Sequence, residues 1–246
     1  MLLILPPSET KRDGGLEGSS LDLGQLGFAA LTPQRTAAIA ALLRLSRSAE
    51  QSMSALKLGP TQRFEIDRNR ALRHAPVMPA IERYTGVIFD ALDAATLAAD
   101  ARAFAGQHLA IGSALFGLLR AGDPIPAYRL SHSSRLPGLS LGAHWRAAVA
   151  AELAQQPGLI LDLRSEAYAA LGRAPGGSFY VRVLSEGADG RRTALSHFNK
   201  HAKGEFTRRV LQSGMVHRDA ASLIEWARAS QINLDYGVAG ELDLVV

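Results

Sequence analysis

At 246 residues, 47% hydrophobic and 20% charged, the chain has room for one large folded domain or two small ones. The absence of cysteine excludes a disulfide framework, thiolate metal sites and a cysteine nucleophile. A formal charge of +4 and a pI near 9.7 favour an acidic partner. No run is long enough for a membrane span and MLLIL is too short for a signal peptide, so a cytoplasmic protein with no membrane partner is expected.

In chain order, Leu2–Leu5 reads as a buried strand stopped by Pro6-Pro7, and PPSETKRDGG as a loop that exposes Lys11 and Arg12. Residues 13–32 carry no regular pattern. Thr32-Pro33 starts a helix, or a broken pair of helices, that reaches Lys57 before Gly59-Pro60 ends it. Residues 61–75 read as a solvated helix surface with a mildly basic face, and Tyr84-Thr85-Gly86 as a turn. Asp93 is expected to cap an Ala-rich helix over 94–105.

The central run 109–130, LAIGSALFGLLRAGDPIPAYRL, has Ile111, Leu115, Leu118 and Leu119 at helical spacing. It reads as a buried helix broken at Gly122-Asp123-Pro124, with Arg120 and Arg129 projecting on either side of the break. That arrangement suits a phosphate; a well-packed helix followed by a loop is the competing reading. Beyond it, a helix opens at His144-Trp145, and 159–163 (LILDL) reads as a buried strand. Arg164, Ser165, Glu166 and Tyr168 follow that strand, where side chains commonly line sites. Residues 178–184 and 191–198 form a hairpin around Asp189-Gly190. Helices over 199–211 and from the Asp219 cap to Ala229 precede a last strand at 240–246. With no repeats and no linker, residues 1–246 read as one α+β domain, a single mixed α/β unit.

Residues 191–210 hold six Lys/Arg and one acid, so the basic charge of the chain is local. This is the footprint of a polyanion site, or of a solvated basic helix. His197 and His201 share a helix face, but the lysines around them oppose a metal ion, and no metal or cofactor is expected. No Walker A, dinucleotide loop or nucleophile elbow is present, so no catalytic residue is assigned; Ser165, Glu166, Tyr168 and His197 are bare candidates.

Taken in order, PPSETK (6–11), YTG (84–86), QHLAIGSALFGLLRAGDPIPAYRL (107–130), Trp145, LDLRSEAY (161–168), SHFNKHAKGEFTRR (196–209) and GELDLVV (240–246) resemble the YaaA family of bacterial peroxide-stress proteins. The resemblance implies a single YaaA-type domain with a basic cleft and a helix-hairpin-helix-like element, placed here at 111–129. It also implies DNA binding that limits oxidative and iron-dependent damage. Lys11, Tyr84, Thr85, Arg120, Tyr128, Arg129, Ser165, Lys200, Lys203 and Arg208 fall on family motifs and become the candidate DNA- or phosphate-binding residues. The expected partner is DNA, contacted through its backbone, with no obligate protein partner. An enzyme acting on a nucleotide or other phosphorylated small molecule in the same cleft is the alternative. The chain departs from the family at Ala114 and Phe116, where glycine and tyrosine are usual, and at Ser131-His132 after Leu130.

Overall fold

The computed structural model describes residues 1–187, 192–194 and 198–246. Its strands in chain order are β1 (Leu2–Leu5), β2 (Met78–Pro79), β3 (Leu109–Ser113), β4 (Gly117–Arg120), β5 (Pro124–Ile125), β6 (Ile160–Asp162), β7 (Phe179–Glu186), β8 (Arg192–Ala194), β9 (Asn233–Tyr236) and β10 (Glu241–Val245). All but β2 and β5 join one sheet, in the order β4-β3-β1-β6-β7-β10-β9, with β8 paired to the end of β7. The inner strands β3, β1, β6, β7 and β10 run parallel, and β4, β8 and β9 add antiparallel edges. This makes a single α/β domain with a mixed sheet, more parallel than an α+β reading implies.

The sequence explains the layering. Every residue of β1 and of β3 is buried, so both sheet faces must be covered, as parallel sheets require. Ten helices pack around the sheet among the described residues, and the apolar side chains of all these elements merge into one core.

The central run is corrected by the structure. Residues 109–120 form an antiparallel hairpin, β3 and β4, and the helix expected there is absent. A continuous apolar run satisfies a buried strand as well as a buried helix, and helical spacing alone does not separate them. What decides is the tight connection. Gly117 has φ +74°, and a side chain on it would meet the Trp145 ring at 2.7 Å. Ser113 Oγ accepts the Leu115 and Phe116 N–H groups across the turn at 3.2 and 3.0 Å. The helix-hairpin-helix placement at 111–129 is withdrawn with the helix.

Asp93 is a second correction. At φ +46° it ends the helix Val87–Leu92 instead of starting the Ala-rich one, which runs Ala99–His108. The loop expected to expose Lys11 instead buries it, because its ammonium donates to the Ser8 and Glu9 carbonyls, while other expectations held more closely. The 32–57 stretch is the broken pair Thr32–Leu45 and Ala49–Ala55, and Asp219 caps Ala220–Ala229 by accepting the Ser222 N–H at 2.9 Å. The strands β7 and β8 pair as the hairpin required, while its Asp189-Gly190 turn lies outside the described residues.

Gly204 sets the position of one wall of the site. It lies within the helix Phe198–Ser213, where an added Cβ would stand 2.4 Å from the Ile88 carbonyl oxygen and 2.8 Å from Ala91 Cβ. Glycine therefore lets Val87–Leu92 lie directly against this helix. Gly204→Leu should force the two apart and cost about 1–3 kcal/mol or more in a urea titration, as overpacking does. A loss below about 0.5 kcal/mol, within the range of ordinary surface changes, would show that the contact is not tight.

Candidate functional site

The chain leaves β1 for β3 on one side and later reaches β6 on the other. Adjacent parallel strands whose connections diverge in this way leave a crevice at their C-terminal ends. Here that crevice is a cleft of about 840 Å³. Residues 6–10 after β1 and 165–168 after β6 form its sides. The Thr85-Gly86 turn, His132, Tyr180 of β7, and Lys200 and Lys203 complete it.

Hydroxyl groups cluster on the β1 side. Ser8 Oγ lies 3.1 Å from Thr10 Oγ1, which accepts from Thr85 Oγ1 at 3.0 Å. The Thr85 N–H also reaches the Thr10 carbonyl at 3.3 Å. Gly86, at φ +94°, lets the chain turn there, because a Cβ would come within 3.3 Å of Ser8 Oγ.

Lys11 lies beneath this cluster, only 6% exposed. Its ammonium donates to the Ser8 and Glu9 carbonyls at 3.0 and 3.2 Å and faces the Tyr128 and Tyr84 rings at 4.2 and 5.2 Å. The two phenols meet at 2.7 Å, and Tyr128 also meets Ser113 Oγ at 2.8 Å. Burial lowers Lys11 from 10.5 to about 7, partly offset by Glu65 and Glu9. Burial also raises Tyr84, Tyr128 and Tyr168 above the ordinary phenol value. Arg129 does not offer a free cation: it pairs with Glu9, and Asn69 bonds its backbone on both sides at 2.8 and 2.9 Å.

Lys203 is 4% exposed and lines the cleft. Its Nζ donates to the Leu163 carbonyl at 3.0 Å and stands 5.1 Å from the centre of the Tyr180 ring. Asp162, the nearest compensating carboxylate, is committed elsewhere. Arg164 grips it through Nε at 2.8 Å and Nη2 at 2.7 Å, with both side chains buried. Burial therefore dominates and lowers Lys203 from 10.5 to about 8.

The structure gathers Lys11, Tyr84, Thr85, Tyr128, Arg129, Ser165, Lys200 and Lys203 in or directly beneath the cleft. It does not bring Arg120 or Arg208 there. Arg120 sits opposite Ala110, at the other end of the parallel strands, and bonds the Gln107 carbonyl and the Gln156 side chain, both at 2.9 Å. Arg208 holds the Leu92 and Asp93 carbonyls at 2.8 Å, at the end of the neighbouring helix. Arg209 bonds the Ser230 carbonyl. Among the described residues the basic stretch thus divides around its helix, with Lys200 and Lys203 facing the cleft and Arg208 and Arg209 bonded elsewhere. His197 lies outside the described residues, and His201 stands 3.3 Å from Glu205. Among the described residues no cluster of three metal-ligating side chains occurs.

Ser8, Thr10, His132 and Tyr180 were not singled out in the sequence. One signal does mark the place. The chain contains four lysines against 23 arginines, and Lys11, Lys200 and Lys203 are three of the four.

The buried lysines and tyrosines set the pH dependence of stability. Between pH 7 and 10 the unfolded chain holds protons on Lys11 and Lys203 that the folded one has shed, so stability rises with pH. Above about pH 10 the tyrosines ionise only when unfolded, and stability falls. Urea titrations should show a gain on the order of 2 kcal/mol from pH 7 to 9. Lys11→Met should remove most of that gain. A flat or falling profile over this range would contradict burial as the dominant influence on Lys11.

The family described as "Peroxide stress protein YaaA" matches residues 1–228. The chain is similar to a UPF0246 protein of Corynebacterium glutamicum, 44% identical over 94% of this chain and 93% of the relative. A UPF0246 protein of Corynebacterium efficiens is 43% identical over the full length of both, and one of Streptomyces coelicolor 41% identical over 98% of this chain and 93% of the relative. With a family match across most of the chain and relatives of this closeness aligned nearly end to end, the chain belongs to the peroxide stress protein YaaA family, which implies a role related to peroxide stress.

Proposed function

We propose that this protein serves the peroxide response by binding DNA at the strand-end cleft, contacting phosphates with little base readout and so limiting iron-dependent oxidative damage to the bound DNA. The observation that carries this reading is the convergence of exposed Lys200, buried Lys203 and the hydroxyls of Ser8, Thr10, Thr85 and Ser165 on one open crevice. Ammonium and hydroxyl groups bond phosphate oxygens whatever the base sequence. Glu9 and Glu166 also line the cleft, and Glu9 is paired with Arg129. The phosphate cradle in this reading is built from strand ends and owes nothing to a helix-hairpin-helix at 111–129.

A second reading, an enzyme acting on a nucleotide or other phosphorylated small molecule, is favoured by Lys203. A cleft that only follows a phosphate backbone does not require a buried amine lowered to about 8.

Fluorescence anisotropy with labelled duplex, single-stranded and junction DNA over a salt series tests the first reading. Each phosphate contact contributes about 0.9 to the slope of log K against log salt for duplex DNA. Lys200→Ala should flatten the slope by roughly 1 and the Lys200→Ala/Lys203→Ala pair by roughly 2, equally for unrelated sequences. No binding at low salt would remove the DNA reading. Nucleotides and sugar phosphates would then be screened against the same cleft.

A further inference from the structure

The distribution of lysine and arginine is not what charge alone would produce. Arginine occupies 23 of the 27 basic positions, including the buried sites at Arg35, Arg83 and Arg164. For holding phosphate it is also the better-adapted side chain, with a planar fork that matches two oxygens at once. Yet the cleft uses lysine. What lysine offers and arginine cannot is a neutral primary amine near physiological pH.

The two buried lysines are not equivalent. Lys11 donates to two carbonyls and is enclosed by two aromatic rings, outside the lining of the cleft. Lys203 donates to a single carbonyl and lines the cleft itself. Asp162, held by Arg164, raises its proton affinity less than burial lowers it. Glu166 and His132 also line the cleft, and a carboxylate or an imidazole is suited to proton transfer. The capacity that only the amine adds is a reversible bond to a carbonyl carbon.

We propose that Lys203 is a nucleophile that condenses with the carbonyl group of a hydroxylated aldehyde or ketone of the sugar-phosphate class. The nitrogen lone pair attacks the carbonyl carbon, the C=O π pair moves to oxygen, and that oxygen takes up a proton as nitrogen releases one, giving a carbinolamine. Protonation of its hydroxyl and loss of water then leave a protonated imine, which returns that proton from nitrogen to give the imine, so that amine and carbonyl compound yield imine and water. The Ser8, Thr10, Thr85 and Ser165 hydroxyls suit the substrate's own hydroxyls, and exposed Lys200 at the rim suits its phosphate. The lowered proton affinity of Lys203 supports this role, since a far larger fraction of the amine is unprotonated at neutral pH than for an ordinary lysine. The inference rests on the small-molecule reading of the cleft, not on DNA binding.

The test is reductive trapping of the full chain with glyceraldehyde 3-phosphate and sodium cyanoborohydride at pH 7, with adducts located by peptide mass spectrometry. Exposed Lys57, far along the chain, is the internal reference. Lys203 should be modified roughly tenfold or more faster than Lys57, because an ordinary lysine stays protonated until about pH 10.4. Its rate should level off above about pH 8 while that of Lys57 keeps rising. Unphosphorylated glyceraldehyde should give the same site at a lower rate. Lys203→Arg, folded by circular dichroism, should lose the fast adduct, and Lys57→Arg should keep it. Equal rates at Lys203 and Lys57, or a fast adduct on Lys200, would overturn the proposal. Because trapping uses the unaltered protein without DNA, its failure leaves the anisotropy result intact, and failure of DNA binding leaves the trapping result intact.

Discussion

Buried positive charge held by backbone carbonyl oxygens is the constraint on which this structure depends. Arg35 reaches the Phe116, Gly27 and Leu118 carbonyls, and Arg83 those of Ile125, Arg12, Gly14 and Pro76. Lys11 and Lys203 are held in the same manner with fewer partners. Each guanidinium fork ties together segments far apart in sequence that no regular ladder joins. Arg83 fixes the loop after β1 on both sides of Arg12, and so places Lys11, the residue before it. Burying such charges is costly without partners, and carbonyl dipoles supply them without neutralising the charge.

The same environment separates the cations into two kinds. Burial lowers Arg35 and Arg83 only to about 10, so both remain charged and structural at neutral pH. Applied to lysine, burial brings the proton affinity close to neutrality and makes the amine chemically available. Arginine therefore holds the loops of the fold, and lysine occupies the place where the strands β1 and β6 open. Arg164 belongs to both roles. By gripping Asp162 it stabilises the end of β6 and engages the carboxylate whose charge partly offsets the burial of Lys203.

Much of the order of elements was legible in the sequence, because prolines, glycines and caps interrupt hydrophobic runs at fixed places. Leu2–Leu5, the 159–163 run and the helices at Thr32 and Ala220 follow from such punctuation, while the helix read as opening at His144 starts at Leu141. The central run was not legible, because burial on both faces erases the alternation that distinguishes a strand from a helix. The family motifs located most of the cleft, but they also carried Arg120 and Arg208, whose guanidinium groups are committed to carbonyls and a side-chain amide away from it.

By itself the sequence determined the family, the punctuation of the chain and the scarcity of lysine. These are properties of residue order and count, which need no contacts to exist. Only the tertiary structure decided that β1 lies between β3 and β6, that their ends form a cleft, and that Lys203 rather than Lys11 faces it. Burial and the engagement of Asp162 by Arg164 arise from segments brought together by the sheet, and the state of an amine depends on that surrounding, not on its neighbours in the chain.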